Sequence, residues 1–152
     1  MDSTSRPNKI LIVDDNQANC ELLEAYLEGI ECEVEIAEDG QEALDKVPTF
    51  QPDLILLDVM MPKLSGFEVC QTLKGNPETR NIMILMVTAL NELGDTERAI
   101  DAGTNDFLSK PVNRAELLKR VGNMLELKGV SDENERLRQY IQKMEESGST
   151  AS

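Results

Sequence analysis

Asp14-Asp15, Asp58, Thr88 and Lys110 are the residues of this chain whose types, taken together, could do chemistry. Each follows or ends a short apolar run: "KILIV" precedes the acid pair, "LILL" precedes Asp58, "NIMILMV" precedes Thr88 and "DFLS" precedes Lys110. Three carboxylates held together raise one another's pKa unless a cation compensates. One lysine leaves a deficit. A hard divalent ion with oxygen ligands, most simply Mg2+, would fill it and still leave room for waters and a phosphoryl oxygen. A carboxylate beside that ion is equipped to attack phosphorus, with the metal and Lys110 neutralising charge and Thr88 donating to an oxygen of the transferred group.

The elements that must position these residues can be read from periodicity. Residues 9–13 ("KILIV") form a strand of the fully buried type, and residues 17–30 place Leu22, Leu23, Tyr26, Leu27 and Ile30 at helical spacing. "EVEIA" (33–37) alternates with period two, as a strand near a sheet edge does. An Asp-Gly turn at 39–40 opens the helix "QEALDKV", and "DLILL" and "GFEVCQTLKG" make the third strand and helix. The fourth strand spans 81–89 and leads into a polar, Gly-bounded fourth helix, "ELGDTERAIDAG", a composition suited to low local stability. "DFLS" (106–109) is a short fifth strand, followed by a long helix over 113–128. Strands alternating with single helices predict parallel βαβ units and a doubly wound (βα)5 sheet. Ligands of such sheets sit at the carboxyl ends of the strands, where all these groups converge.

Taken singly, each residue has a plain structural explanation. Asp-Asp-Asn after a strand commonly caps the next helix, Asp58 suits a turn before Pro62, Thr88 suits a strand, and a lysine before Pro111 is ordinarily exposed. Their falling together at the ends of four strands favours a site. The net charge of -14 argues against affinity for nucleic acid or anionic membrane. No run approaches the ~18 apolar residues of a membrane span, and "MDSTSRPNK" lacks the apolar core of a signal peptide, so a cytoplasmic location is expected. Cys20, Cys32 and Cys70 have no CxxC spacing and read as reduced thiols. Histidine is absent, which excludes phosphohistidine on this chain.

"ILIVDDN", "PDLILLDVMMPKLSGFEV", "MVTA" and "GTNDFLSKP" together resemble the receiver domain of two-component response regulators. The resemblance implies a flavodoxin-like sheet of strand order 2-1-3-4-5, and phosphorylation of Asp58 by a histidine kinase or histidine phosphotransfer protein. It implies Asp15 and Asp58 as direct Mg2+ ligands, the Met60 carbonyl as a third, and Asp14 acting mainly through water. Thr88 and Lys110 would hold the phosphoryl oxygens, and the Lys110-Pro111 bond would be cis. Switching would move Thr88 toward the phosphoryl group while Phe107 fills the vacated space, changing the surface of the fourth helix, fifth strand and fifth helix. Met60 and Leu90, two residues after Asp58 and Thr88, are expected tuning positions. Neither side chain can orient an attacking water, so slow hydrolysis of the acyl phosphate is expected.

The expected organisation is a flexible N-terminus (1–8), a receiver unit (9–128), and a C-terminal extension (129–152) with a helix over 131–147 and a disordered tail. Leu137, Ile141 and Met144 form a stripe too narrow to stand alone in water. It could pack on the domain, pair with a second copy, or lead into a further domain. The extension is too short and too acidic for a DNA-binding module. Output is therefore expected through a downstream protein, a homodimer, or an attached unit such as a diguanylate cyclase. The only catalysis expected is self-phosphorylation and self-dephosphorylation of Asp58, so the chain is not expected to be an enzyme in the usual sense. A haloacid-dehalogenase-like phosphatase also uses a strand-end Asp but needs a second acid two residues on, where Met60 stands. A flavin-binding protein would want a hydroxyl- and glycine-rich first loop, and a Walker-type NTPase its GxxxxGK[ST]; neither is present.

Overall fold

The structure is a computed structural model and describes residues 7–61, 63–89, 100–127, 138, 140–142 and 144. Its strands are β1 (Asn8–Val13), β2 (Cys32–Ala37), β3 (Leu54–Leu57), β4 (Met83–Thr88) and β5 (Asp106–Ser109). They form one all-parallel sheet of order β2-β1-β3-β4-β5, the doubly wound, flavodoxin-like arrangement expected. The helices are α1 (Gln17–Tyr26, then a 3-10 turn at Leu27–Gly29), α2 (Gly40–Phe50) and α3 (Gly66–Lys74). Residues 100–102 are the described end of the fourth helix, α4, and α5 spans Arg114–Glu126. The rest of the polar helix read over residues 92–103 lies outside the described residues, so its low local stability stays an expectation.

Every residue of β3 is buried, so alternate side chains feed two cores. Ile55 and Leu57 join Leu11, Val13, Ile84 and Met86 against α2 and α3. Leu54 and Leu56 join Ile10, Ile12, Leu85 and Leu108 against α1 and α5. β2 sits at the sheet edge with Glu33 and Glu35 exposed, as its period-two text implies. The N-termini of α1, α2, α3 and α5 are capped by side chains of the expected kind: Asn16, Asp39, Ser65 and Asn113.

Two helices differ from the sequence reading. α2 runs past Val47 through Pro48 to Phe50 and stops at Gln51, which is left-handed at φ 53°. A proline in a helix forfeits one backbone bond. Burial of Phe50 in the α2–α3 core, in line with Ala43 and Val47, offsets that loss. In the C-terminal extension, Arg138, Tyr140, Ile141, Gln142 and Met144 are helical, and the segment packs on the domain. Of the stripe read as Leu137, Ile141 and Met144, Ile141 is 48% exposed, whereas Tyr140, which the stripe leaves out, is only 8% exposed. Tyr140 is buried in the α1–α5 core and Met144 packs against it; Leu137 lies outside the described residues.

Candidate functional site

The sheet register brings the acids together. Val13 of β1 is paired with Leu57 of β3, so the residues that follow, Asp14 and Asp58, leave the sheet side by side. The Asp58 N–H donates to the Val13 carbonyl (2.9 Å) and the Asp14 N–H to the Ala37 carbonyl (3.1 Å), which keeps both backbones in the ladder. Thr88 ends β4 opposite Ser109 of β5. Lys110 follows, and its bond to Pro111 is cis.

One carboxylate oxygen from each of Asp14, Asp15 and Asp58 lies within 4.8 Å of the others. Lys110 Nζ reaches Asp14 Oδ2 at 3.2 Å and Asp58 Oδ1 at 3.6 Å. Asp14 and Asp58 are 2% and 5% exposed, while Asp15 is open to solvent. Asp14 also braces the loop: its Oδ1 accepts the Asn16 N–H (2.9 Å), and its carbonyl accepts the Cys20 thiol (3.4 Å). Burial, and then the charge of Asp14, push that thiol up to about 11, so it keeps its proton at neutral pH. Asn16 accepts from the Asn19 N–H at 3.0 Å. The Asp-Asp-Asn stretch therefore serves the start of α1 as well as the acid cluster.

Asp58 is the residue with an unmet need. Its carboxyl is raised by burial and then by Asp14, against the pull of Lys110 and a hydrogen bond from the Met60 amide. Among the described residues its buried Oδ1 has no hydrogen-bond partner. A buried, orphaned carboxylate oxygen costs free energy. Three carboxylates around one ammonium carry net negative charge, and all the donors are oxygen. That set suits a hard divalent cation.

Gly66 secures the loop after Asp58, a role that its place at the head of the third helix, "GFEVCQTLKG", does not disclose. A Cβ there would stand 2.3 Å from the Asp58 carbonyl oxygen and 2.8 Å from Val59 Cα. α3 thus starts hard against the strand end, with the Gly66 N–H bonded to the Val59 carbonyl (3.0 Å) and Ser65 and Glu68 forming a capping box. The glycine is needed for close approach, which no propensity reveals. Met60 is 68% exposed beside this loop. Phe107 is half-buried against the α2–α3 core and paired with Met86. Leu90 lies outside the described residues, and Thr88 is placed by its backbone.

Comparison with known proteins agrees with this geometry. The family model for the response regulator receiver domain matches residues 10–122. The chain is 46% identical over 125 residues to the response regulator PleD of Caulobacter vibrioides, a match covering 82% of this chain and 28% of PleD. It is 41% identical over 117 residues to the DNA-binding dual master transcriptional regulator RpaA of Synechocystis, covering 77% of this chain and 48% of RpaA. The chain thus spans less than half the length of either relative. A crystal structure of a putative response regulator from Chloroflexus aurantiacus superposes with a TM-score of 0.76 at 37% identity, over 80% of this chain and 99% of that one.

Proposed function

The chain belongs to the response regulator receiver domain family, and on that premise we propose that it is a switch set by phosphorylation of Asp58. The observation that supports this most is the junction of Asp14, Asp15 and Asp58 within 4.8 Å, with Lys110 reaching two of them. The family points to a histidine kinase or a histidine phosphotransfer protein as the phosphoryl donor; having no histidine, this chain takes the group from another protein or from a small molecule such as acetyl phosphate.

The residues suited to Mg2+ are Asp14, Asp15, Asp58 and the Met60 carbonyl. When bound, the ion would supply positive charge to the phosphoryl oxygens. The Asp58 carboxylate attacks phosphorus, forming an acyl phosphate as the bond to the donor nitrogen breaks with its electrons left on the donor. Lys110 holds one phosphoryl oxygen and the Thr88 hydroxyl another. Thr88 and Phe107 then move together, and the face made by α4, β5 and α5 passes the change to a partner protein, a second copy or an attached output. We assign this role to a receiver unit over 9–128, with 129–152 as its extension, in the cytoplasm. No described helix is long and apolar enough to cross a membrane. The 46% identity to PleD, of which this chain matches only 28%, supports a second form of the same reading, a receiver within a longer regulator; the charged helical text after residue 130 suits an attached output such as a diguanylate cyclase.

Acetyl phosphate with Mg2+ should place one phosphoryl group on the wild-type chain, mapped to the Asp58 peptide by mass spectrometry. A chain left unmodified, or modified elsewhere, would sink the reading. Met60 offers a finer test, because its exposed thioether cannot orient water beside the acyl phosphate. Met60→Asn should shorten the phosphoryl lifetime several-fold, read as loss of the adduct after the donor is removed. An unchanged lifetime would remove Met60, and with it the pairing with Leu90, as tuning positions.

A further inference from the structure

Tyr140 is held by more than packing. Its hydroxyl donates to Asp106 Oδ2, the oxygen that also receives Arg120 Nη1. Arg120 Nη2 in turn donates to Glu116 Oε2 at 3.2 Å. The other Asp106 oxygen, Oδ1, accepts the backbone N–H of Phe107 at 2.8 Å. One carboxylate at the start of β5 thus joins three parts: the C-terminal segment, α5, and the backbone of the aromatic assigned to the switch. One turn beyond Tyr140, Met144 packs against the same core, and its Sδ accepts from Asn123 Nδ2 of α5 at 3.3 Å.

The attachment has the character of a latch. Among the described residues of the segment, Tyr140 and Met144 face inward, while Arg138, Ile141 and Gln142 are exposed. Among the described residues of the segment the inward contacts are one aromatic ring and one thioether, and a helix held by few buried contacts belongs with the elements that open at low free energy. The phenol is pushed well up by burial, and then by its bond to Asp106, so it stays a donor throughout the physiological range.

We propose that the segment around Tyr140–Met144 is an intramolecular latch over β5 and α5, clasped by Asp106 and Arg120, which opens when Phe107 changes its packing. The coupling rests on the switch reading above; the clasp rests on geometry alone. Docked, the segment covers part of the output face. Equilibrium coupling is reciprocal, so a latch that phosphorylation opens must also oppose phosphorylation while closed.

The test uses the full chain, wild type and Tyr140→Phe, which keeps the ring and removes only the hydroxyl. Hydrogen exchange of the 138–144 backbone and the affinity for beryllofluoride with Mg2+, by calorimetry, are measured for both. In the wild type the segment should be protected, and beryllofluoride should lower that protection several-fold. Tyr140→Phe should lower protection without beryllofluoride and tighten beryllofluoride binding in the same ratio. Met144→Ala, which leaves the clasp bond in place, should do the same to a smaller degree. Equal protection in wild type and Tyr140→Phe would overturn the latch. Looser exchange with unchanged beryllofluoride affinity would overturn the coupling. If the wild type binds no beryllofluoride, the switch reading falls and the coupling with it, and the exchange data alone then decide the clasp.

Discussion

Asp58→Asn should be more stable than the wild type in the absence of divalent cations, nearly indifferent to Mg2+, and unable to carry a phosphoryl group. The first effect follows from the cost of the ionised acid. Burial and then Asp14 raise the Asp58 carboxyl above its ordinary value, so the folded protein holds that proton more tightly than the unfolded chain does. The stabilisation linked to it is full below the unfolded carboxylate range and is lost as pH rises through the folded value. At neutral pH the ionised group, with its orphaned Oδ1, therefore disfavours folding. The cost is about 1–3 kcal/mol, the range for an unsatisfied buried polar group. An amide of the same shape removes the charge facing Asp14. Urea unfolding with a chelator at pH 7 should place the variant's midpoint above the wild type's, and the gap should close toward pH 4. Saturating Mg2+ should raise the wild-type midpoint by mass action on the folded state and barely move the variant. A variant less stable than wild type in chelator would show that Asp58 is structurally satisfied, and would remove the reason for a cation there.

The placement of Asp58 was legible in the sequence because topology does most of the positioning. In a parallel sheet all carboxyl ends face one way, so four apolar runs, each leading to a polar residue, suffice to locate a crevice. The pairing of Val13 with Leu57 then makes Asp14 and Asp58 neighbours. Other features depend on distances that no run of residues encodes. Gly66 matters because α3 begins against the Asp58–Val59 backbone, a fact of packing between elements. Pro48 reads as a helix stop, yet burial of Phe50 carries α2 past it. In the extension, counting aliphatic residues selects the face of Ile141, but the structure buries Tyr140. The phenol follows a carboxylate, Asp106, that lies 34 residues away in sequence. Periodicity finds apolar faces and is blind to a polar partner supplied by tertiary structure.

Lys110→Met should split two properties that a merely damaged site would lose together. Lys110 Nζ lies 3.2 Å from Asp14 Oδ2 and 3.6 Å from Asp58 Oδ1, so it neutralises the oxygens a cation would also use. A unit charge pair at 4 Å is worth about 4 kcal/mol at an effective dielectric constant near 20. Methionine keeps most of the apolar stem and removes only the ammonium. Freed of competition and of repulsion from Lys110, a divalent ion should bind more tightly. Roughly tenfold is a conservative figure, since it asks for only ~1.4 kcal/mol. The phosphoryl group, by contrast, brings negative charge that the same lysine is placed to meet, and Lys110 directly follows the β5 strand that carries Phe107. The variant should therefore bind Mg2+ better, yet fail to show the change in hydrogen exchange across 106–109 that beryllofluoride produces in the wild type. Magnesium titration by calorimetry and exchange with and without beryllofluoride check the two halves. Weaker Mg2+ binding in Lys110→Met would mean that the lysine organises the carboxylates for the metal, and the charge-competition account of this crevice would have to be abandoned.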